Sequence, residues 1–282
     1  MSEGNVTPIT EAPSAILANP KCRVCGIEVE VEGYAELPET YRESIDRMIV
    51  CDKHAEAEAK RADEEVRQQR RTVYAAAVND AQFPEQLRGK KWSDLHPKET
   101  EDVTEGDRVI ATAAQATETR KKALDACVRW SRGEIRGLIL AGRVGMGKSW
   151  FAAVSGQSLI YQRVKAMDAL HLKPIMPIRW VTVPELIQKS RGDYGSERRR
   201  DAEKILAGTS GLVLDDIDKI KPTEFALDLL LEALETRING GRPLLVTTNL
   251  GYRELRDLLG DPITSRLRGY CEGHRMIGKD RR

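Results

Sequence analysis

One segment decides the fold class of this 282-residue chain, the run Gly142-Arg143-Val144-Gly145-Met146-Gly147-Lys148-Ser149. The apolar residues from Leu138 to Ala141 precede it and have the length of a buried strand. The residues from Lys148 to Tyr161 follow it and have the composition of a helix. A strand, a glycine-rich turn and a helix in this order predict a phosphate-binding loop, which we call the phosphate loop (residues 142–149).

The phosphate loop has the residue types that hold a nucleoside triphosphate. Its glycines allow backbone N–H groups to converge on phosphate oxygens, where a Cβ atom would crowd the ligand. We expect Lys148 to neutralise the β and γ phosphates of ATP, and the Ser149 hydroxyl to bind Mg²⁺. The residues of this region expected to bind the nucleotide are Gly142, Val144, Gly145, Met146, Gly147, Lys148, Ser149 and Trp150.

Polar residues end two further apolar runs. Asp215 and Asp216 follow Leu212-Val213-Leu214, and Asn249 follows the run that ends in Thr247-Thr248. Downstream of a phosphate loop, this pattern predicts that Asp215 holds Mg²⁺ through water and that Asp216 is the general base for the attacking water. We expect Asn249 to orient that water, although an asparagine at a strand end is commonly a turn residue.

Short apolar runs alternate with helical stretches from Phe83-Pro84 onward, which predicts βαβ units and a parallel sheet. The runs of strand length are residues 137–141, 178–182, 211–214 and 243–248. Between the last two, Ala226, Leu230 and Leu234 recur at helical spacing and indicate a buried crossover helix. Asp218 is expected to be a loop acid, since Ile217 should turn back towards the core. The fold class is therefore α/β.

Two pairs of metal-ligand residues lie near the N-terminus. Cys22 and Cys25 form one pair, and Cys51 and His54 form the other, about 25 residues further on. Each spacing allows one short turn to present two ligands to a tetrahedral ion, so we expect structural Zn²⁺. The alternative is a set of free thiols with a surface histidine. Cys127 and Cys271 are expected to be ordinary core thiols.

Changes in composition along the sequence indicate how the chain is divided into parts. The expected parts are a flexible lead-in (1–20), a zinc-binding module (21–54), a polar helical connector (55–82, in a helix from Asp52 to about Asp80) and an ATPase domain (83–282). A formal net charge of +1 excludes a polycation that coats nucleic acid along its whole surface. The sequence lacks the pattern of a signal peptide or a membrane-spanning segment, so we expect a cytoplasmic protein without membrane contact.

These motifs resemble those of the AAA+ ATPases. The resemblance rests on the phosphate loop, Leu212 to Asp216, Leu244 to Asn249, and Thr264-Ser265-Arg266-Leu267. The run from Leu234 to Leu250 is similar to the bacterial and phage replicative-helicase loaders, the DnaC/IstB-like group, and so is Phe83 to Gly89. The resemblance covers residues 83–282 and implies an AAA+ domain. Since the chain stops at Arg282, the resemblance also implies that the helical lid of most AAA+ proteins is absent, as is familiar in this group.

The resemblance assigns roles to C-terminal arginines. Arg266 matches the arginine finger, which would complete the ATP site of a neighbouring subunit, so the resemblance implies a homo-oligomer when ATP is bound. Arg282, or Arg281 beside it, falls where the group senses phosphate; the alternative is a frayed basic tail. Many AAA+ proteins have glutamate at the position of Asp216. Because aspartate is shorter, we expect slow hydrolysis.

The function that the resemblance implies is ATP-dependent loading of a hexameric replicative DNA helicase during DNA replication, in a bacterial cell and possibly from a phage gene. The N-terminal module would bind the helicase, and the ATPase domain would contact single-stranded DNA. The alternatives are a transposition helper ATPase on duplex DNA, which the zinc module disfavours, and a non-hydrolysing ATP-gated adaptor. A basic run is either the surface for single-stranded DNA or a solvated helical face: Lys189, Arg191, Tyr194, Arg198, Arg199 and Arg200.

Overall fold

The computed structural model describes residues 19–106, 108–168, 178–190 and 209–280. The chain divides into two compact units, Met1–Gln68 and Gln69–Arg282. Within the described ranges, none of the helices combines the length and the apolar character that crossing a membrane requires.

The first unit is built from two tight turns and helices. Lys21 and Glu28 form an antiparallel bridge, and between them the backbone N–H of Gly26 donates to the carbonyl of Cys22 at 2.8 Å. Helix α1 (Glu39–Met48) follows, and helix α2 (Asp52–Asp80) begins directly after Cys51. In residues 19–68, the buried side chains are those of Pro20, Cys22 and Tyr34. A core this small provides little apolar stabilisation.

The second unit has a two-stranded antiparallel hairpin and a five-stranded parallel sheet. The strands are β1 (Val103–Glu105), β2 (Arg108–Ala111), β3 (Gly137–Ala141), β4 (Ile178–Thr182), β5 (Gly211–Asp215), β6 (Leu244–Thr248) and β7 (Cys271–Arg275). The helices are the C-terminal part of α2, α3 (Ala113–Ser131), α4 (Lys148–Lys165), α5 (Val183–Ser190), α6 (Glu224–Asn239) and α7 (Tyr252–Tyr270).

The order of strands in the large sheet is β4-β5-β6-β3-β7. β3 therefore lies between β6 and β7, with Gly137 opposite Leu244 on one side and opposite Cys271 on the other. Since parallel strands share one carboxyl edge, the residues that follow β3, β6 and β5 are neighbours in space. The predicted α/β fold with a parallel sheet is confirmed.

Two apolar clusters cover the two faces of the sheet. Alternate strand residues enter opposite clusters, as Val213 and Leu214 of β5 do. One cluster includes side chains from α3 and α4, and the other includes side chains from α5, α6 and α7. The result is a three-layer arrangement with the sheet in the middle.

The segment that follows α2 in the second unit is held by close packing. The side chain of Phe83 is buried, and its ring centroid lies 5.8 Å from that of Trp180 on β4. A Cβ atom on Gly156 of α4 would come within 2.7 Å of the Phe83 ring, so glycine permits this approach. The backbone N–H of Trp180 donates to the carbonyl of Ala81 at 2.8 Å.

Helix α2 departs from the expected polar connector in its last turns. Ala77 and Val78 are buried, and Val73 and Tyr74 pack against the same cluster of the second unit. These residues recur at helical spacing and form a short apolar stripe. The expectation of a helix that is polar on every face is therefore wrong for this end of α2.

The observed strands follow the predicted runs closely. β3 and β4 have the predicted bounds, β5 extends one residue further to Asp215, and β6 begins at Leu244 rather than at Pro243. Helix α4 continues beyond Tyr161 to Lys165. Helix α7 is broken at Gly260, whose φ is 81°, just before Pro262.

Candidate functional site

The phosphate loop, Asn249 and Asp216 meet at the carboxyl edge of the sheet. They follow β3, β6 and β5, which are adjacent strands. A cavity of about 420 Å³ opens there, and Lys148, Ser149, Asp216 and Asn249 line it. These four residues therefore converge on one space large enough for a small-molecule ligand.

Lys148 is anchored inside the phosphate loop. Its Nζ donates to the carbonyl oxygens of Gly142 (2.7 Å) and Arg143 (2.9 Å) and to Oδ1 of Asn249 (2.8 Å). Burial lowers the pKa of this ammonium group, and the charges of nearby carboxylates, led by that of Asp216, oppose the change. The arrangement places a buried cation where an anionic group would be stabilised.

Asp215 and Ser149 form the oxygen-rich side of the site. Oγ of Ser149 donates to Oδ1 of Asp215 at 3.0 Å, and Oγ1 of Thr247 donates to the same oxygen at 2.6 Å. Burial raises the pKa of Asp215, and the charge of Asp216 adds to the increase, while both hydrogen bonds oppose it. A hydroxyl and a carboxylate at this distance are the oxygen ligands that Mg²⁺ prefers.

Asp216 has a left-handed backbone conformation with a φ of 55°. Its backbone N–H donates to Oγ1 of Thr247 at 2.9 Å, and its carboxylate forms an ion pair with Lys219. A non-glycine residue at positive φ is uncommon, and such residues concentrate at functional sites. The turn directs the Asp216 side chain to the cavity rather than into the sheet.

Asp218 has a larger part in this site than the expected loop acid. Its carboxylate accepts hydrogen bonds from the backbone N–H of Asn249 (2.7 Å) and from Nδ2 of Asn249 (2.8 Å). Burial would raise the pKa of Asp218, but these hydrogen bonds hold it below its usual value. Ile217 is buried, as expected, and this leaves Asp218 on the opposite side of the turn, facing β6. Asp218 therefore fixes the Asn249 amide with its Oδ1 towards Lys148.

Arg120 supports the phosphate loop from α3, a role that no sequence motif indicates. Its side chain is 2% exposed, and Nη1 donates to the carbonyl of Met146 at 2.9 Å. Its Nε lies 3.6 Å from the Glu99 carboxylate, which compensates the buried charge. The sequence gives no signal for this role, because the partner of Arg120 in the phosphate loop lies 26 residues away.

Trp150 and Val144 differ in their surroundings. Both contribute to the cavity wall, and Nζ of Lys90 lies 5.2 Å from the centroid of the Trp150 ring, within the range of a cation–π contact. Val144 is an exposed residue of the phosphate loop. Met146 is buried in the core cluster that packs against α4. Backbone groups, rather than the side chains of Val144 and Met146, are thus the parts of the loop suited to phosphate contact.

Arg266 lies on the second half of α7. It is partly exposed and forms an ion pair with Glu235 at 2.8 Å. Lys189, on α5, pairs with Glu185 at 2.7 Å. Several predicted residues lie outside the described ranges: Arg191, Tyr194, Arg198, Arg199, Arg200, Arg281 and Arg282. The predicted surface for DNA and the predicted phosphate-sensing arginine therefore stay predictions.

The four predicted metal ligands converge in the first unit. Their ligand atoms all lie within 4.8 Å of one another. Nδ1 of His54 lies 3.6 Å from Sγ of Cys22 and 3.2 Å from Sγ of Cys51, and Sγ of Cys25 lies 3.8 Å from Sγ of Cys51. Zn–S bonds of about 2.3 Å in a tetrahedron place sulfur atoms about 3.8 Å apart. The Cys3His cluster therefore fits a tetrahedral ion such as Zn²⁺.

The sulfur of Cys22 is set up as a thiolate ligand. Burial opposes its ionisation, but backbone hydrogen bonds from Cys51, Cys25 and Val24 lower the pKa of its thiol to about 6. The two cysteines of the second unit differ. Burial raises the pKa of both Cys127 and Cys271 to about 12, as for thiols in a core.

Comparison with known proteins gives relatives by sequence and by structure. No family model matches the chain. Two replicative helicase loaders, both DnaC of Buchnera aphidicola, match 155 residues, one at 26% identity from the Schizaphis graminum subspecies and one at 24% from the Acyrthosiphon pisum subspecies. Each match covers 53% of this chain and 58% of the loader. The chain thus spans less than two thirds of the curated relatives that it matches.

Two solved structures have the same fold. A DnaI structure aligns with 71% of this chain and 95% of its own at a TM-score of 0.51, with 20% sequence identity. A structure of the DnaC helicase loader aligns with 69% of this chain and 100% of its own at a TM-score of 0.52, with 17% identity. The chain therefore has the AAA+ fold of these structures, and by sequence it is similar to the DnaC replicative helicase loaders.

Proposed function

We propose that this protein is an ATP-dependent loader of a replicative DNA helicase and acts in DNA replication. The observation that carries the proposal is the similarity of 155 residues to two DnaC replicative helicase loaders. The phosphate site supports it, because Lys148, Ser149, Asp215 and Asn249 lie at one edge of the sheet with hydrogen bonds between them. The names of the relatives indicate a replicative helicase as the partner. We also propose that this protein acts in the cytoplasm.

ATP and Mg²⁺ are the ligands that the phosphate site fits. The backbone N–H groups of residues 142–150 would hold the phosphates, with Lys148 neutralising their charge. Ser149 and Asp215 would hold Mg²⁺, which stabilises charge on the phosphates when bound. Asp216 would accept the proton of the attacking water, and Asn249 would orient that water. Because the side chain of Asp216 is shorter than that of a glutamate, we expect the rate of hydrolysis to be low.

Arg266 would act in trans between subunits of an ATP-bound homo-oligomer. Arg266 lies on the second half of α7, is partly exposed and forms an ion pair with Glu235 among the described residues, which leaves the guanidinium accessible to a second copy of the chain. An arginine supplied by a neighbour stabilises transition-state charge on the γ-phosphate. Arg282, or Arg281, would sense the phosphate from the C-terminal segment.

The Cys3His cluster would hold a structural Zn²⁺ and make the first unit a folded module for binding the helicase hexamer. Four protein ligands leave no open position for catalysis, so the ion's contribution is to folding. The ATPase domain would contact single-stranded DNA through the basic run that includes Lys189. The short side chain of Asp216 favours a second candidate, an ATP-gated adaptor with little turnover, because the carboxylate must approach the attacking water more closely than a glutamate would.

Capture by the tagged full-length chain from its native cell, with ATP present, tests the proposal. We expect a hexameric replicative helicase in the captured fraction, identified by mass spectrometry. Replacing Cys22 and Cys51 with serine should remove it, whereas the matched change Cys271→Ser, outside the cluster, should not. A transposase in place of the helicase would support the transposition helper, and capture of neither would contradict both functions.

A further inference from the structure

Lys219 reaches the cavity because of the turn that follows β5. Residues Ile217–Lys219 form a single 3-10 turn, in which the backbone N–H of Lys219 donates to the carbonyl of Asp216 at 3.0 Å. The positive φ of Asp216 starts this turn. Lys219 consequently lines the same cavity as Lys148 and Ser149, although most of its side chain is exposed.

The ammonium group of Lys219 lies directly on the carboxylate of Asp216. Nζ donates to Oδ2 of Asp216, and this hydrogen bond raises the pKa of Lys219. The Asp216 side chain is 20% exposed and that of Lys219 is 58% exposed, so the pair is at the mouth of the cavity. One oxygen of the general base is therefore engaged by a cation of the same chain.

Other charged groups in the described part of the site bond to different partners. Lys148 donates to Gly142, Arg143 and Asn249. The carboxylate of Asp215 accepts from Ser149 and Thr247, and that of Asp218 accepts from Asn249. Lys219 is thus the cation bonded to Asp216 in the described part of the site.

We propose that Lys219 restrains ATP hydrolysis by holding Asp216 in an ion pair that must open before the carboxylate accepts a proton. In the step itself, the water oxygen bonds to the γ-phosphorus, the bond to the β,γ-bridging oxygen breaks, and the water proton moves to Asp216. ADP and inorganic phosphate leave. While Nζ of Lys219 donates to Oδ2 of Asp216, that oxygen is directed at the cation rather than at the attacking water. Lys219 is then a positioning residue, and this role rests on the proposed hydrolysis.

The size of the restraint follows from the exposure of the pair. Ion pairs at solvent-exposed sites are weak, so we expect its removal to raise kcat about two- to fivefold. Binding of ATP should change less, because the phosphate cradle is built from Lys148 and backbone groups rather than from Lys219. The effect should therefore appear in kcat rather than in KM.

The test compares Lys219→Met, Lys219→Arg and Lys221→Met in the full-length protein by steady-state phosphate release. Lys219→Met keeps the length of the side chain but removes its charge, and we expect the increase in kcat. Lys219→Arg retains the ion pair and should stay near the wild-type rate. Lys221→Met removes an exposed charge two residues further on, and it should change nothing. An unchanged or lower kcat for Lys219→Met, or an equal increase for all three variants, would overturn the proposal.

Two further measurements separate this inference from the proposed function. Binding of a non-hydrolysable ATP analogue to each variant shows whether the phosphate site works at all, whatever the role of Lys219. Lys219→Met combined with Asp216→Asn should be as slow as Asp216→Asn alone, because the restraint acts through that carboxylate. A rate increase that persists in the double variant would place the effect of Lys219 elsewhere and contradict the proposal.

Discussion

The phosphate site and the Cys3His cluster gather polar groups in opposite ways. In the phosphate site, protein groups already satisfy the side chains, as the three hydrogen bonds of Lys148 show. In the cluster, three thiol sulfurs and one imidazole nitrogen converge with little around them, since the buried residues among the described residues 19–68 are Pro20, Cys22 and Tyr34. The sheet builds the first arrangement from protein groups alone, whereas we expect the second to need an ion.

This difference has an energetic cause. The phosphate site lies at the ends of buried strands between two apolar clusters. Burial of apolar side chains in these clusters therefore stabilises the geometry of the site. The first unit has few buried side chains to order its backbone, and an ion held by the four ligands would supply the missing free energy. We therefore expect the two units to respond differently to the removal of ligands and to changes in packing.

Removal of the metal ion should have the largest effect. Structural Zn²⁺ contributes roughly 10 kcal/mol or more to the folding of small metal-binding units, so a strong chelator should unfold the first unit. The backbone N–H of Arg23, which donates to the carbonyl of Ile49 at 3.0 Å, should then lose its protection in hydrogen exchange. The thermal transition of the second unit should not change. An Arg23 amide that stays protected without metal would show that the first unit folds unaided.

Gly156→Ala should have the next largest effect and should act on the second unit alone. The new Cβ would lie 2.7 Å and 2.8 Å from Phe83 ring atoms. Overpacking of this kind costs about 1–3 kcal/mol, against about 1 kcal/mol gained from the helix propensity of alanine. We expect a net loss of up to about 2 kcal/mol in the free energy of unfolding by urea.

A second glycine in a helix supplies the control for that substitution. A Cβ on Gly269 of α7 would meet no atom within 4 Å. Gly269→Ala should therefore stabilise the second unit by up to about 1 kcal/mol. Equal changes in the free energy of unfolding for the two substitutions would mean that the close contact of Phe83 with α4 does not affect the stability of the second unit.

The sequence predicts the features that local spacing determines, but not the contacts between residues far apart in the chain. Hydrophobic runs and a glycine-rich turn predict β3, β6 and the phosphate loop, because local spacing determines them. Asp218 and Arg120 escape prediction because their partners, Asn249 and Met146, lie 31 and 26 residues away, and only the sheet brings them together. The four metal ligands are predictable since their spacing within each pair is local, and the fold merely joins the two pairs.

Arg266→Ala should have the smallest effect on stability and a large one on hydrolysis. Arg266 and Glu235 form a half-exposed ion pair, so replacing either with alanine should cost at most about 1 kcal/mol. If Arg266 stabilises the transition state, Arg266→Ala should lower kcat about 10²–10³-fold, whereas Glu235→Ala, which breaks the same ion pair, should not. Equal losses of kcat would assign the effect to the ion pair.

Mixing two inactive variants then decides whether the phosphate site is self-contained. A subunit with Arg266→Ala keeps Asp216, and a subunit with Asp216→Asn keeps Arg266. Where the second lies beside the first, the site between them has both groups, so the mixture should recover part of the wild-type phosphate release. If Arg266 acted within its own chain, no subunit in the mixture would hold both groups, and the mixture would stay inactive. Recovery would show that the sheet prepares the phosphate site but that a second chain completes it.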